Sequence, residues 1–211
     1  MEFNNLLILS NQLPIIDSEN LYTGIANPSN IEVQLSRWKK TGRLIQLRKG
    51  VYLLAEPYRK IPVFELSVAA ALRKPSYISL EKALEYHNLI PEAVHVFTSI
   101  TPKRTEEIDT PLGTFSYQHL KESLFWGYFA VTMDRQTAYV ATPEKALLDF
   151  FYLRAGDISM DYLEAFRLQN IRGIKFNKLL EFAQRFKKPK MLRIAQVIRE
   201  YCRANRGEKI L

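Results

Sequence analysis

The stretch RWKKTGRLIQLRKGVYLL, residues 37–54, decides the fold that we expect for this chain. It opens on the basic end of a helix and then passes through a glycine, which is a common helix stop. The two apolar, β-prone runs that follow, residues 44–47 and 51–54, are separated by a basic tip that contains a glycine, and this pattern predicts a β-hairpin. A hairpin directly after a basic helix is the local order of a winged helix, in which the helix enters the major groove of DNA and the hairpin lies along the phosphates.

Two further helices are predicted upstream, which completes a winged helix-turn-helix over residues 1–56. The first is a leucine-rich apolar stripe near the start of the sequence. The second begins at Asp17 or Ser18, because either side chain can cap a helix. The third, basic helix has a strong start signal, with Asn27 as the N-cap and Pro28 at the first helical position.

One face of the third helix is predicted to be core and the opposite face to meet DNA. Ile31, Leu35 and Trp38 recur at helical spacing, so they should face the core. Arg37 on the opposite face can contact guanine with two hydrogen bonds, while the other basic residues mainly neutralise phosphates. The predicted DNA-binding residues are Ser29, Asn30, Val33, Gln34, Ser36, Arg37, Lys40, Arg48 and Lys49.

The net charge of +8 is unevenly distributed along the chain. Residues 1–60 carry eight basic and five acidic residues (+3), residues 61–155 carry nine and eleven (−2), and residues 156–211 carry thirteen and six (+7). Two basic ends around a near-neutral middle suit a polyanionic partner. The alternatives are a winged helix that only docks to proteins and a basic surface that is merely solvated.

Composition excludes several other classes. The 211 residues allow one large or two modest domains. No apolar run approaches the length of a membrane span and no secretory leader is expected, so we expect a cytoplasmic protein. The single cysteine, Cys202, excludes intramolecular disulfides and thiolate zinc cages. The histidines are scattered and no phosphate-binding or nucleophile motif is present, so we expect no enzyme, metal or cofactor.

A second domain, residues 63–211, is predicted to follow a short proline-containing linker, residues 57–62. Residues 63–155 should be α+β, with an antiparallel sheet and flanking helices, and residues 156–211 should form a basic helical segment. We expect helices over residues 63–72, 80–87, 143–154, 160–168, 176–186 and 190–204, and strands over residues 94–100, 105–108, 114–117, 125–132 and 137–141.

Asp149 is the conspicuous polar group of this domain, because it lies in an apolar helix. A buried carboxylate needs partners, and Lys145 one turn earlier can serve, so we expect a structural role for the pair. Ser79 is predicted to cap the helix that follows it. Glu81 and His87 should tie that helix to the sheet.

Basic residues of the second domain form a possible functional patch. Lys103 and Arg104 lie in a turn between predicted strands and are its best candidates. The C-terminal helices add Lys175, Lys178, Arg185, Lys187 and Lys188. These helices either bind phosphates or a partner protein, or simply cover the sheet.

Several short motifs of the second domain occur together and in order. They are YISL (residues 77–80), AL (83–84), His87, LIP (89–91), TS (98–99), PLGTF (111–115) and TPEKALLD (142–149). Together with the preceding winged helix they resemble the AbiEi family, the antitoxins and transcriptional regulators of type IV toxin–antitoxin and abortive-infection systems.

The resemblance implies a repressor that binds inverted repeats upstream of its own operon. It also implies a second domain that counters a nucleotidyltransferase-like toxin, without requiring a stable complex between the two proteins. Two alternatives stay open: an orphan transcriptional regulator without antitoxin activity, and a protein-interaction module that acts through its C-terminal helices.

Overall fold

The computed structural model describes residues 2–10, 13–23, 28–156 and 158–205. Within these ranges the chain is α+β, as the sequence predicts. The predicted N-cap Asn27 lies outside the described residues. Of the helices in the described ranges, none is both long and apolar enough to cross a membrane.

The first elements, which we call the N-terminal unit, combine short helices with a small antiparallel sheet. In chain order they are α1 (Phe3–Leu9), β1 (Ile15–Asp17), α2 (Ser18–Tyr22), α3 (Ser29–Lys40), β2 (Leu44–Arg48) and β3 (Val51–Leu54). The predicted hairpin of β2 and β3 is confirmed, and β1 adds an unpredicted strand beside β3. Asp17 caps α2, because its carboxylate accepts a 3.0 Å hydrogen bond from the Glu19 amide.

Helix α3 turns the predicted face toward the core. Ile31, Leu35 and Trp38 are all buried, and the indole of Trp38 meets the ring of Phe3 edge-on at 5.2 Å. The helix begins one residue later than predicted, because Pro28 precedes its first turn. Its last turn is basic, which complements the negative end of the helix dipole.

Each face of the small sheet contributes side chains to a buried core. One face packs Leu44 and Leu54 against α1 and α3 in the core of the N-terminal unit. The other face sends Leu47, Val51 and Leu53 into the larger core formed by the rest of the chain. A β-bulge lies at Leu47, where two residues of β2 oppose one residue of β3. The hairpin is therefore a layer shared by two cores.

The segment predicted as a linker, residues 57–62, is attached at both ends. A 3₁₀ turn over Glu56–Tyr58 opens it, and the ring of Tyr58 packs on that of Phe3 at 4.8 Å. At its other end the carbonyl of Pro62 accepts a 2.8 Å hydrogen bond from the Gln136 side-chain amide. These contacts fix the path of the chain between the two parts.

The remaining elements form the second unit. They are α4 (Glu65–Leu72), β4 (Tyr77–Ile78), α5 (Leu80–Tyr86), β5 (Phe97–Thr101), β6 (Glu106–Thr110), β7 (Gly113–His119), β8 (Tyr128–Met133), β9 (Gln136–Ala141), α6 (Pro143–Leu153), α7 (Met160–Ala165), α8 (Phe176–Arg185) and α9 (Pro189–Ala204). Further 3₁₀ turns lie at Glu122–Leu124 and Ile171–Gly173.

The sheet of the second unit is mixed, so the predicted antiparallel sheet is wrong in part. Among the described residues, six strands pair in the order β6-β7-β5-β4-β9-β8. Strand β7 turns back from β6 and lies parallel to β5, and β4 is parallel to β9. Strand β4 has two residues, which is too short to produce an alternating sequence pattern.

The C-terminal helices share the core of the sheet. Leu179 and Ala183 of α8 and Ile194 and Ile198 of α9 are buried in the larger core, where both helices contact α6. The helical segment predicted over residues 156–211 therefore packs within the second unit.

The two predicted helix starts of the second unit differ in outcome. The start at Thr142 is confirmed, because its hydroxyl accepts a hydrogen bond from the Lys145 amide and Pro143 occupies the first helical position. Ser79 occupies the N-cap position of α5 as predicted, but its hydroxyl makes no capping bond and instead donates to Asp149.

Candidate nucleic-acid interface

The face of α3 opposite the core is open to solvent. Its exposed residues are Ser29, Asn30, Val33, Ser36, Arg37 and Lys40. Val33 is 51% exposed although it is apolar, and it lies one turn before Arg37 on the same side. Gln34, also predicted to contact DNA, lies at the flank of this face and is half-buried. The α3 residues predicted to meet DNA thus lie outside the core.

The hairpin tip presents Lys49 to solvent and is held by backbone contacts. Gly50 has a φ of +85°, a conformation that glycine adopts without strain. Its carbonyl accepts a 2.8 Å hydrogen bond from the Ser18 amide. A Cβ at position 50 would lie 3.1 Å from the Ser18 hydroxyl, so the tip and the start of α2 are in close contact.

The prediction that Arg48 contacts phosphates needs correction, because its guanidinium is bonded to other groups of the chain. Its guanidinium donates a 2.9 Å hydrogen bond to the Leu72 carbonyl and lies 3.1 Å from a carboxylate oxygen of Glu106. Side chains of both ion-pair partners are only about one third exposed, at 31% and 32%. Arg48 therefore ties the hairpin to the second unit.

Lys39 fixes the helix to the hairpin. Its ammonium donates a 2.6 Å hydrogen bond to the side-chain oxygen of Gln46 in β2. Together with the shared hairpin core, this contact holds α3 and the tip in one arrangement. A rigid pair of contact elements lowers the entropic cost of docking on a regular surface such as duplex DNA.

A groove of about 740 Å³ runs between α3, the hairpin and the second unit. Its basic lining residues are Lys39, Arg48, Lys49, Arg73, Lys74 and Lys103, and its acidic ones are Asp17, Glu19 and Glu32. The lining is therefore net positive. Lys74 and Asp17 pair with each other across the groove, which joins the two units a second time.

The expected pairing of Asp149 with Lys145 is confirmed, and the pair is fully buried. Two residues that the sequence analysis did not connect to it complete the cluster. The hydroxyls of Tyr77 and Ser79 each donate a 2.9 Å hydrogen bond to one carboxylate oxygen of Asp149. The Lys145 ammonium donates to the other carboxylate oxygen and, at 3.0 Å, to the Tyr77 hydroxyl.

Burial dominates the electrostatics of this cluster. It raises the pKa of Asp149 and lowers that of Lys145, while their ion pair opposes both shifts. The ammonium also lies over the ring of Trp126 at 4.8 Å. Because both charges are fully buried, we assign the cluster to holding α6 against β4 rather than to binding a ligand.

His87 ties α5 to the sheet, as predicted. Its Nε2 lies 2.8 Å from the Ala141 carbonyl, which a neutral imidazole with a proton on Nε2 satisfies. Glu81, predicted to do the same, is half-buried and makes no such bond within the described part of the chain. Burial lowers the pKa of His87, while the Ala141 carbonyl and Glu144 act in the opposite direction.

Stability should fall below about pH 6.5 in a His87-dependent way. The lowered pKa of His87 means that the unfolded chain takes up the proton first, so each step down in pH from 6.5 favours unfolding. In His87→Gln, whose amide can still donate to Ala141, that part of the pH dependence should disappear. Urea unfolding of both proteins at about pH 7 and about pH 5 measures the difference. Equal pH slopes would contradict the prediction.

Most C-terminal basic residues of the predicted patch have intramolecular contacts. The Lys178 ammonium lies 3.1 Å from the buried carboxylate of Glu144, which also accepts a 3.0 Å hydrogen bond from the Lys175 amide. The guanidinium of Arg185 lies 3.7 Å from the centre of the Trp126 ring. Likewise, Lys188 lies over Tyr152 at 4.4 Å. Lys187 is exposed.

These contacts favour a covering role for the C-terminal helices over a dedicated phosphate site. In the ranges that the structure describes, no group of three or more His, Cys, Asp or Glu side chains could hold a metal ion. Cys202 is buried in the larger core.

No protein-family model matches this sequence, and no curated protein is significantly similar to it.

Proposed function

We propose that this protein is a DNA-binding transcriptional repressor whose N-terminal unit is a winged helix-turn-helix. The element order of helix, strand, two helices and a hairpin supports this assignment. The observation that carries the proposal is the exposed face of α3, which presents Arg37 and Lys40 beside Val33, together with the exposed Lys49 at the tip of the hairpin that follows. Basic residues on one open helix face and an adjoining loop are the electrostatic footprint of a duplex-binding module.

The exposed residues of α3 and the hairpin tip can each make a type of contact that is common between proteins and DNA. Arg37 can donate two hydrogen bonds to O6 and N7 of a guanine, and the methyl groups of Val33 can contact the methyl of a thymine. Ser29 and Asn30 lie in the first turn of α3, the part of a recognition helix that usually contacts base edges. Lys40 and Lys49 would neutralise phosphates.

Alanine variants of α3 and the tip separate base reading from phosphate binding. Arg37→Ala should cost about 1–3 kcal/mol on the operator and relax sequence preference, whereas Lys49→Ala should weaken all duplexes evenly and reduce the salt slope by about 1. Fluorescence anisotropy with the upstream region of the gene and with a scrambled duplex, at several salt concentrations, measures both effects. Arg172→Ala, which removes an exposed cation that does not line the groove, is the matched control.

The proposal has a clear contrary outcome. A protein that shifts no fragment of its own upstream region at low salt is not a repressor acting at that site. Loss of binding with Arg172→Ala equal to the loss with Lys49→Ala would mean that net charge, and not this surface, determines binding.

We extend the proposal to an antitoxin role because of the resemblance to the AbiEi family. In this reading the repressor acts on inverted repeats of its operon in the cytoplasm, and the second unit counters a nucleotidyltransferase-like toxin encoded nearby. Expression of the neighbouring gene with and without this protein tests the role. Restored growth supports it, whereas a neighbour that is not a nucleotidyltransferase favours an orphan regulator.

A further inference from the structure

The turn between β5 and β6 stands beside the hairpin tip. Lys103 in this turn lines the same groove as Lys49, although the two residues belong to different units. Strands β2 and β6, which flank the two loops, are in contact. The turn residue Arg104 is exposed next to Lys103. The positive surface of the N-terminal unit thus continues onto the second unit.

The turn is held in place by a network of arginines. Arg73 lies 3.0 Å from Glu106 with one guanidinium nitrogen and donates a 3.2 Å hydrogen bond to the Arg104 carbonyl with the other. Arg48 of the hairpin shares the same Glu106 carboxylate. The hairpin, the end of α4 and the turn are therefore joined through one acidic residue.

Backbone contacts fix the turn from its other side. The Lys103 carbonyl lies 2.9 Å from Nδ1 of His119, and the Lys103 amide donates a 3.2 Å hydrogen bond to the Thr101 hydroxyl. A turn held this way loses little conformational entropy when its side chains bind a partner.

The cations of the network and those of the turn have different roles. Arg48, Arg73 and Lys74 are paired with carboxylates. By contrast, the side chains of Lys103 and Arg104 are exposed, and among the described residues neither side chain has a hydrogen-bond or ion-pair partner. Their charges are available to a ligand.

We infer that Lys103 and Arg104 of the second unit contact the phosphate backbone of the duplex that α3 and Lys49 bind. This inference rests on the proposed function. The ligand is a run of phosphodiesters, because the two exposed cations continue the positive surface of the hairpin tip onto the second unit and both lysine and arginine pair with phosphate oxygens. The DNA-binding unit is then the whole chain, and its footprint extends beyond that of the N-terminal unit.

The double variant Lys103→Ala/Arg104→Ala tests the inference. Each phosphate contact adds about 0.9 to the slope of log K against log salt, so raising salt fourfold weakens binding by about 3.5-fold per contact. Between about 50 and 200 mM salt, the advantage of the unsubstituted protein over the double variant should therefore shrink by about 12-fold. The loss should be equal on operator and scrambled duplexes, because phosphates carry no sequence.

Arg172→Ala/Arg203→Ala removes two exposed cations outside the groove and is the matched control, with an expected salt slope equal to that of the unsubstituted protein. The melting temperature should stay the same in both double variants, because all four side chains are exposed. If the unsubstituted protein binds its upstream region and the Lys103/Arg104 variant keeps the same salt slope, the inference is overturned while the repressor function stands. If the unsubstituted protein binds no duplex, the proposed function itself fails.

Discussion

Replacing Asp149 with alanine is expected to lower the free energy of unfolding by about 3–5 kcal/mol, because Lys145 would stay buried without its counter-ion. The same change leaves the hydroxyls of Tyr77 and Ser79 without their acceptor. Single domains are stable by only about 5–15 kcal/mol, so this one substitution should remove a large share of the total. Urea unfolding followed by circular dichroism measures the loss.

A double-mutant cycle separates the ion pair from simple loss of packing. Lys145→Met should cost a similar amount, because it leaves a buried carboxylate. The combined variant should lose less than the sum of the two, with an interaction energy of about 2–3 kcal/mol. Losses that add to within about 0.5 kcal/mol would show that the two side chains act independently.

Trp38→Ala is expected to destabilise the N-terminal unit by about 3–5 kcal/mol and to abolish DNA binding at temperatures where the second unit is still folded. The indole is buried, and it is the anchor that positions the exposed face of α3. Trp38→Phe is the matched variant, since it keeps an aromatic ring against Phe3 and should lose much less.

The variant also provides its own probe. The chain has two tryptophans, so Trp126, which packs on Phe182 in the second unit, becomes the sole reporter in Trp38→Ala. Because the hairpin belongs to both cores, the Trp126 transition should also shift to lower urea. A change of less than about 1 kcal/mol in the unfolding of Trp38→Ala would contradict the anchor role.

Hydrophobic periodicity and helix start signals predict those features that depend on residues close together in the sequence. The spacing of Ile31, Leu35 and Trp38 predicts the buried face of α3, because a helix places every third or fourth residue on one side. The start of α6 is likewise predicted by two adjacent residues, Thr142 at the N-cap and Pro143 at the first helical position. The pairing of Lys145 with Asp149 follows from one helical turn.

Long-range partners explain what the sequence could not predict. The ion-pair partner of Arg48 is Glu106, which lies 58 positions later in the chain. The residues near the hairpin therefore do not indicate that this guanidinium already has a partner. Ser79 looks like a helix cap, but a carboxylate 70 positions later takes its hydroxyl. Strands β1 and β4 are too short for an alternating pattern and form only because longer strands offer them free edges.

The candidate interface also combines features that local sequence predicts with features that depend on long-range packing. Solvent exposure of Arg37, Lys40 and Val33 follows from the helical spacing, and the structure places all three outside the core. That Lys103 borders the same groove as Lys49 follows only from the tertiary packing of β6 against β2. In the sequence, Lys103 and Arg104 can be recognised only as a basic dipeptide in a turn. Nothing near them indicates that the hairpin tip lies beside this turn.

The small sheet between the two cores has a practical consequence for anyone who shortens this protein. A fragment cut after residue 56 would keep α3 but would leave Leu47, Val51 and Leu53 facing water. Exposed leucine and valine side chains on a three-stranded sheet favour self-association and aggregation of such a fragment. The smallest fragment that retains α3 in its observed setting therefore includes the helices and strands that cover those side chains.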